Sequence, residues 1–409
     1  MNNKILRVSA LLAALAILPF IVNILPFMGT GWVRILGNTM LYVMLALGLN
    51  IVIGYAGLLD LGYIGFYAVG AYIYAWVSSP QLQNIGLMSS VPQWSIWVII
   101  PLAAVLAGVA GALLGAPTLK LRGDYLAIVT LGFGEIIRIV MNNNPGGVTS
   151  GPQGILGIEP IHLFGWSLST NWTLFEFAKS DGSTLTVGGN NVINHYLFFL
   201  AVTAFVVLLI SRLENSRAGR AWMALREDEI AAEAMGLNKR NVKLLAFGMG
   251  ASFAGIAGAL FASYQGFISP ESFVLNESIM VLAMVVLGGM GSIRGVILGA
   301  VMLQVLPELL RYFLGWVQPK IIENVSFIPE EVVRSFLDPN TLRMFLFGLA
   351  LVLVMRFRQE GLWPSVRRRQ ELHDNDDSPF PSAHHLNQTA HAKISEDEPN
   401  NRANTGEGR

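Results

Sequence analysis

The chain has 409 residues, 53% of them hydrophobic and only 13% charged, with as many acidic as basic side chains. Zero net charge supplies no global field for nucleic acid or an acidic partner, and the absence of cysteine removes disulfides, thiolate metal sites and cysteine nucleophiles. Repeated apolar runs of about 20 residues then give the composition of a polytopic membrane protein rather than a soluble globule.

The N-terminal run MNNKILRVSALLAALAILPF has the basic start of a secretory signal in Lys4 and Arg7. Its apolar stretch continues to about Phe27, too long for a signal core, and no small-residue cleavage site follows, so a retained membrane helix is expected. Helix-length windows predict ten spans, near 8–28, 33–54, 61–78, 95–116, 125–141, 195–211, 244–265, 278–290, 295–314 and 341–357. The eighth, running into VVLGGMGSIRG, is short and glycine-flanked, which leaves open a tilted, broken or re-entrant segment. Basic residues collect in alternate connections. Lys4, Arg7, Lys120, Arg122, seven in 212–243, Arg294 and the group from Arg356 onward lie on one side, against Lys179, Lys320 and Arg334 on the other. The positive-inside rule therefore predicts an all-α polytopic bundle with both termini in the cytoplasm. The expected layout is a transmembrane domain over 1–362, with outer loops at 142–194 and 315–340 and a cytoplasmic connector at 212–243. A polar tail, 363–409, follows and is too poor in apolar residues to order itself. Four of the six histidines fall in that tail, where solvation rather than metal binding is expected.

The connector sets the chain a problem. Between Arg212 and Lys243 it holds seven basic and five acidic residues, flanked on both sides by almost purely apolar sequence. Burying twelve charges in a bilayer would cost about 30 kcal/mol at roughly 2.5–3.5 kcal/mol each, so the segment must lie outside the hydrocarbon. Within it, GRAWMALREDEIAAEAMG reads as one helix of about four turns. Met223, Ile230 and Ala234 fall on one face, beside a stripe of Trp222, Arg226, Glu229 and Glu233, and Gly236 with Asn238 marks the stop. Helices that lie on lipid are usually basic around the polar face, whereas REDEIAAE is acidic. A mixed-charge helix with a small apolar ridge fits a groove on a soluble protein better. The chain has no G-x-x-x-x-G-K-[ST], no H-E-x-x-H and no nucleophile–base constellation, so it is not expected to be an enzyme or to need a cofactor. Energy from ATP would have to come from another polypeptide.

Three groups of motifs carry a family resemblance. They are LGLNIVIGYAGLLDLGYIGFYAVGAY; LRGDYLAIVTLGFGEIIRI with the later TSGPQGI; and REDEIAAEAMGLNKRNVKLLAF with ASFAGIAGALFASYQGFISPESF and VVLGGMGSIRGVILGA. Over most of 40–160 and 215–310 the chain resembles LivM-type permease subunits of branched-chain amino acid ABC importers. The resemblance implies a bacterial inner-membrane importer built with a second permease, two ATP-binding subunits and an extracytoplasmic amino-acid-binding protein. It also implies that the connector is the loop gripped by the ATPase, through Arg226, Glu227, Asp228, Glu229, Glu233 and Gly236, the last two within an E-A-A…G pattern. The chain departs from the family pattern at Ser150 and Gln153, and again at Arg358 to Gly361. Two rivals stay open, a urea or short-amide permease of the same architecture and an ion-coupled secondary transporter.

Polar residues inside spans are costly and are functional candidates by default. Glu135 and Arg138 stand three apart on one helix face, either a mutually satisfied pair or a gate for a zwitterion. Asn50 lies in an otherwise apolar span, to bond a neighbouring helix or to line a pore. Gln304 and Glu308 form an i, i+4 pair suited to a hydrated cavity, and Asp60 and Asp124 read as helix caps. Ser150, Gly151 and Gln153 sit in a Pro- and Gly-rich stretch where irregular backbone can offer N–H and C=O groups to an amino acid. Small-xxx-small spacing at Gly111 and Gly115, and at Gly291, Gly295 and Gly299, predicts close helix packing.

Overall fold

A computed structural model describes residues 2–24, 29–86, 95–118, 121, 123–163, 166–178, 184–324, 345, 348–349, 352, 356–357 and 361–363. Twelve helices run through these residues: α1 (Asn2–Ile24), α2 (Gly29–Asn50), α3 (Ile64–Ser78), α4 (Gln81–Asn84), α5 (Ile96–Thr118), α6 (Asp124–Asn142), α7 (Asn191–Glu214), α8 (Arg217–Glu227), α9 (Glu229–Ala234), α10 (Lys239–Gln265), α11 (Leu275–Gly288) and α12 (Ile293–Asn324). The first nine expected spans each fall on one of these helices. Six helical stretches are long and apolar enough to cross a membrane, and two shorter apolar ones, Ser9–Val22 and Ile64–Ser78, accompany them. The protein is a mostly helical, polytopic membrane protein. The tenth expected span is described only at isolated residues, and the polar tail beyond 363 lies outside the described residues. α12 continues through Asn324, into the segment expected as an outer loop; the rest of that loop, 325–340, is likewise outside them.

α2 and α10 form the centre. α2 packs on α7, α10, α11 and α12, while α10 packs on α3 and α5 as well. The most apolar stretch of α2 is 78% buried against 28% for α5 and α12, so the outer helices turn apolar faces outward, as lipid or a neighbouring subunit requires. Packing in this centre depends on small residues. A Cβ added to Gly70 of α3 would lie 2.5 Å from the Cα of Gly255 on α10, a distance no folded backbone tolerates. The spacing of Gly111 and Gly115 does the same for α5 against Phe247 and Ala251 of α10.

Two junctions between spans are irregular and buried in the bundle. α2 runs into a π turn, Ile51–Tyr55, and the chain is irregular from Ala56 to Tyr63 before α3 begins. α11 ends at Gly288, and α12 starts at Ile293 after Gly289 and Gly291 take positive φ. The eighth span is thus a short helix set off from the next by a break. The two breaks touch: the Asn50 side-chain oxygen accepts the Gly291 N–H at 2.8 Å. Backbone groups freed by a break at this depth need protein partners, and Asn50 is one of them.

The expectation of an all-α chain is corrected by three small antiparallel sheets, formed by the segment after α6 and, in one of them, by a short strand after α10. They pair β1 (Ile155–Leu156) with β6 (Phe267–Ile268), β2 (His162–Leu163) with β3 (Trp166–Ser167), and β4 (Trp172–Ala178) with β5 (Thr184–Gly189). The alternation in TLTV has the two-residue period of a strand, a short signal that the dominant apolar spans mask.

Candidate functional site

The charged connector folds back on the end of the bundle. Ser216 caps α8, its hydroxyl accepting the Gly219 N–H at 3.2 Å and donating to the Leu213 carbonyl at 2.7 Å. Gly219 lies so close to the last carbonyls of α7 that any side chain there would overlap them. Trp222 is fully buried and donates its indole N–H to the Val242 carbonyl of α10 at 2.9 Å. Arg226 donates through Nη1 to the Gly54 carbonyl in the π turn of the α2 break. The connector therefore shares an end of the molecule with the link between α2 and α3.

The expected four-turn helix is corrected here. It breaks at Asp228, which leaves helical φ and ψ and accepts the Ile230 and Ala231 N–H groups at 2.7 and 3.0 Å. An Asp offered two amide donors prefers this capping geometry to a helix interior. The predicted stripe is split by the break, with Trp222 turned inward and Glu233 outward. In α9 only Ala232 is buried, while Ile230 and Met235 are 76% and 85% exposed. Glu227, Asp228 and Glu233 are exposed as well. Glu229 pairs with the buried ammonium of Lys243, and Glu233 with Lys239 at 3.0 Å. Gly236, at φ +88°, ends the helix where a side chain would be strained.

The remaining candidates do not converge. Asn50 is fully buried and bound to Gly291. Glu135 and Arg138 do pair, and Arg138 also reaches Glu271 at 3.1 Å, tying α6 to the turn at Pro270–Phe273. The pair of Gln304 with Glu308 does not form, since Glu308 bonds Arg311 one turn on. Nor does Asp124 cap α6 with its side chain; Gly123 occupies the N-cap. Ser150 and Gly151 take left-handed φ of +59° and +57° in a tight turn that ends at Gly154. The residues just before the turn are pinned to the end of α3 and the start of α4, where Trp76 donates to the Val148 carbonyl at 3.0 Å and Gln81 to the Gly147 carbonyl at 2.7 Å. Gln153 stays exposed.

Some residues escape the sequence reading. Lys243 counts there only as one positive charge, and nothing local shows it buried. Asp60 reads as a simple cap, yet only its Oδ1 is engaged, accepting the Gly62 N–H at 2.9 Å; its Oδ2 has no partner. Among the described residues, no group of three or more His, Cys, Asp or Glu is placed to hold a metal ion.

Comparison with known proteins agrees with this architecture. A family described as branched-chain amino acid transport system, permease component, matches residues 31–355. The chain is 42% identical over 382 residues to the high-affinity branched-chain amino acid transport system permease protein LivM of Escherichia coli, covering 91% of this chain and 77% of that one. It is 44% identical over 356 residues to LivM of Salmonella typhimurium, covering 85% and 73% of the two chains. LivH of Salmonella typhimurium, a permease protein of the same transport system by its description, is 26% identical over 68% of this chain and 84% of its own. No solved structure matches the chain. With a family match over most of its length and relatives matched over more than two thirds of their own, the chain belongs to the branched-chain amino acid transport system permease family.

Proposed function

We propose that the chain is one of two permeases in an ATP-driven importer of the bacterial inner membrane, moving branched-chain amino acids inward by alternating access. Its partners in this reading are a second permease of the same family, two ATP-binding subunits and an extracytoplasmic amino-acid-binding protein. LivH-type relatives, similar over 68% of this chain, are suited to the second permease position. Ten spans with both termini cytoplasmic would put the connector on the ATPase side, and the Ser150–Gln153 turn would meet delivered substrate on the other.

The observation that carries the reading is the display of α9. Two large apolar side chains, Ile230 on α9 and Met235 at its C-cap, stand exposed in a stretch that also exposes Glu227, Asp228 and Glu233, beside a helix α8 that is locked into the bundle. Such a ridge fits an apolar groove on a soluble subunit. The carboxylates weighed for ion coupling, Glu135 and Glu308, are each occupied by an arginine three residues along. In the test, Ile230→Asp with Met235→Asp is expressed with the full set of partners. The expected result is a folded permease that no longer co-purifies its ATPase, with leucine uptake reduced at least about tenfold, as loss of an interface anchor entails. Co-purification at the wild-type yield would reject the docking role.

A further inference from the structure

Among the described residues Asp60 is the only buried carboxylate, 2% exposed. It sits in the irregular segment between the π turn and α3, and no lysine, arginine or histidine pairs with it among those residues. An ionised carboxylate buried without a countercharge costs several kcal/mol in general. Its surroundings give that cost a use. Asp60 lines a pocket with Gly62 and Phe66 from the start of α3, Leu114 and Gly115 of α5, Thr130 and Phe133 of α6, and Phe247 of α10. The Thr130 hydroxyl is already engaged, donating to the Ala127 carbonyl and accepting the Leu61 N–H, both at 3.0 Å. Asp60 thus brings one unpartnered carboxylate oxygen to a lining whose other members are the Thr130 hydroxyl, glycine, leucine and three phenylalanine rings.

We propose that Asp60 is the countercharge for the α-ammonium group of the amino acid in transit, with Phe66, Leu114, Phe133 and Phe247 receiving its aliphatic side chain. The proposal rests on the chain carrying amino acids. The lining decides among the cations that a lone carboxylate might hold. A bare metal ion requires several oxygen ligands, and this wall offers one carboxylate. A proton relay requires a chain of titratable neighbours, and none lines the pocket. An alkylammonium with a branched apolar body needs one anion, aromatic faces and apolar contact, which are the groups present.

The pocket has room for about one water, so this conformation is closed to an amino acid. Opening it falls to α6, which supplies Thr130 and Phe133. That helix is tied to its surroundings by the Leu61–Thr130 hydrogen bond and the Arg138–Glu271 ion pair, and it keeps Tyr125, Ile128, Ile136 and Ile139 exposed. Movement of α6 away from the α3 start would uncover Asp60 and widen the apolar wall together.

The test uses the complete importer in proteoliposomes and reads labelled leucine moved per ATP hydrolysed. Asp60→Asn is expected to lower that ratio at least about tenfold, and Asp60→Glu to recover part of it, as removal of a pathway charge requires. An unchanged ratio in Asp60→Asn would overturn the proposal. Should that variant fail to assemble, Phe133→Cys in this otherwise cysteine-free chain decides. Its labelling by a small methanethiosulfonate ammonium reagent is expected to slow about fivefold when leucine is present during turnover, and labelling indifferent to leucine would equally overturn it. Lumenal acidification that accompanies leucine entry and depends on Asp60 would overturn it in favour of a proton site. Wild-type vesicles that move no leucine would instead overturn the amino acid reading itself, an outcome recognised because the unmodified chain is already inactive.

Discussion

The two connector helices α8 and α9, eleven and six residues long, meet at Asp228 and are held in opposite ways. α8 buries Gly219, Trp222 and Leu225 and sends Arg226 to the Gly54 carbonyl in the π turn after α2. α9 buries only Ala232 and hangs on two lysine–glutamate pairs. One segment thus has a half fixed to the membrane bundle and a half left exposed. In mechanical terms, a force applied to α9 passes through the Asp228 junction into α8, and from there by Arg226 and Trp222 to the α2 break and to α10. Twelve charges in one connector make sense in these terms, since the exposed half must stay outside the bilayer and solvated.

The comparison breaks most readily at Trp222. Trp222→Ala removes the largest fully buried side chain of the connector and its bond to Val242, a change of about 3–5 kcal/mol for a buried tryptophan. The expected outcome is α8 detached from α10, read as a lower melting temperature of the purified permease and faster proteolysis between 212 and 243. A variant that melts like wild type would mean that α8 is as loosely held as α9. Next comes Glu229→Gln. It leaves the Lys243 ammonium, only 5% exposed, without its carboxylate, at a cost of about 1–3 kcal/mol. Melting should fall by less than in Trp222→Ala, and Lys243→Met in the same chain should recover most of the loss, because the apolar stem then needs no partner.

How far the sequence carries depends on the length scale of each feature. Nine helices follow from apolar runs of about 20 residues, the connector from its density of charge, and the close packing of α5 on α10 from glycine spacing. The break at Asp228 is harder to read. REDEIAAE has good helix formers on both sides of the aspartate, and the cap it makes to Ile230 and Ala231 competes with a helical turn that the same residues would also support. The pairing of Lys243 with Glu229 links residues fourteen apart across two helix ends, which no helical periodicity reports. Asp60 shows the same limit. Its bond to Gly62 is local and resembles a cap, whereas its pocket is assembled from α3, α5, α6 and α10. What stayed hidden is what only tertiary contact creates.

The smallest expected effect is at Glu233, and it separates charge from shape in the displayed half. Glu233 and Lys239 are 47% and 40% exposed by side chain, and such surface pairs contribute about 0–1 kcal/mol to folding. Glu233→Gln should therefore leave melting unchanged. If α9 is gripped chiefly through Ile230 and Met235, ATPase capture should weaken only about threefold at low salt, and the difference should vanish near 0.5 M salt as exposed charges are screened. A loss as large as that of the Ile230 and Met235 variant, persisting at high salt, would assign the grip to the acidic residues instead. The apolar ridge would then be a surface that lipid or solvent simply touches, and α9 would differ from α8 in charge more than in exposure.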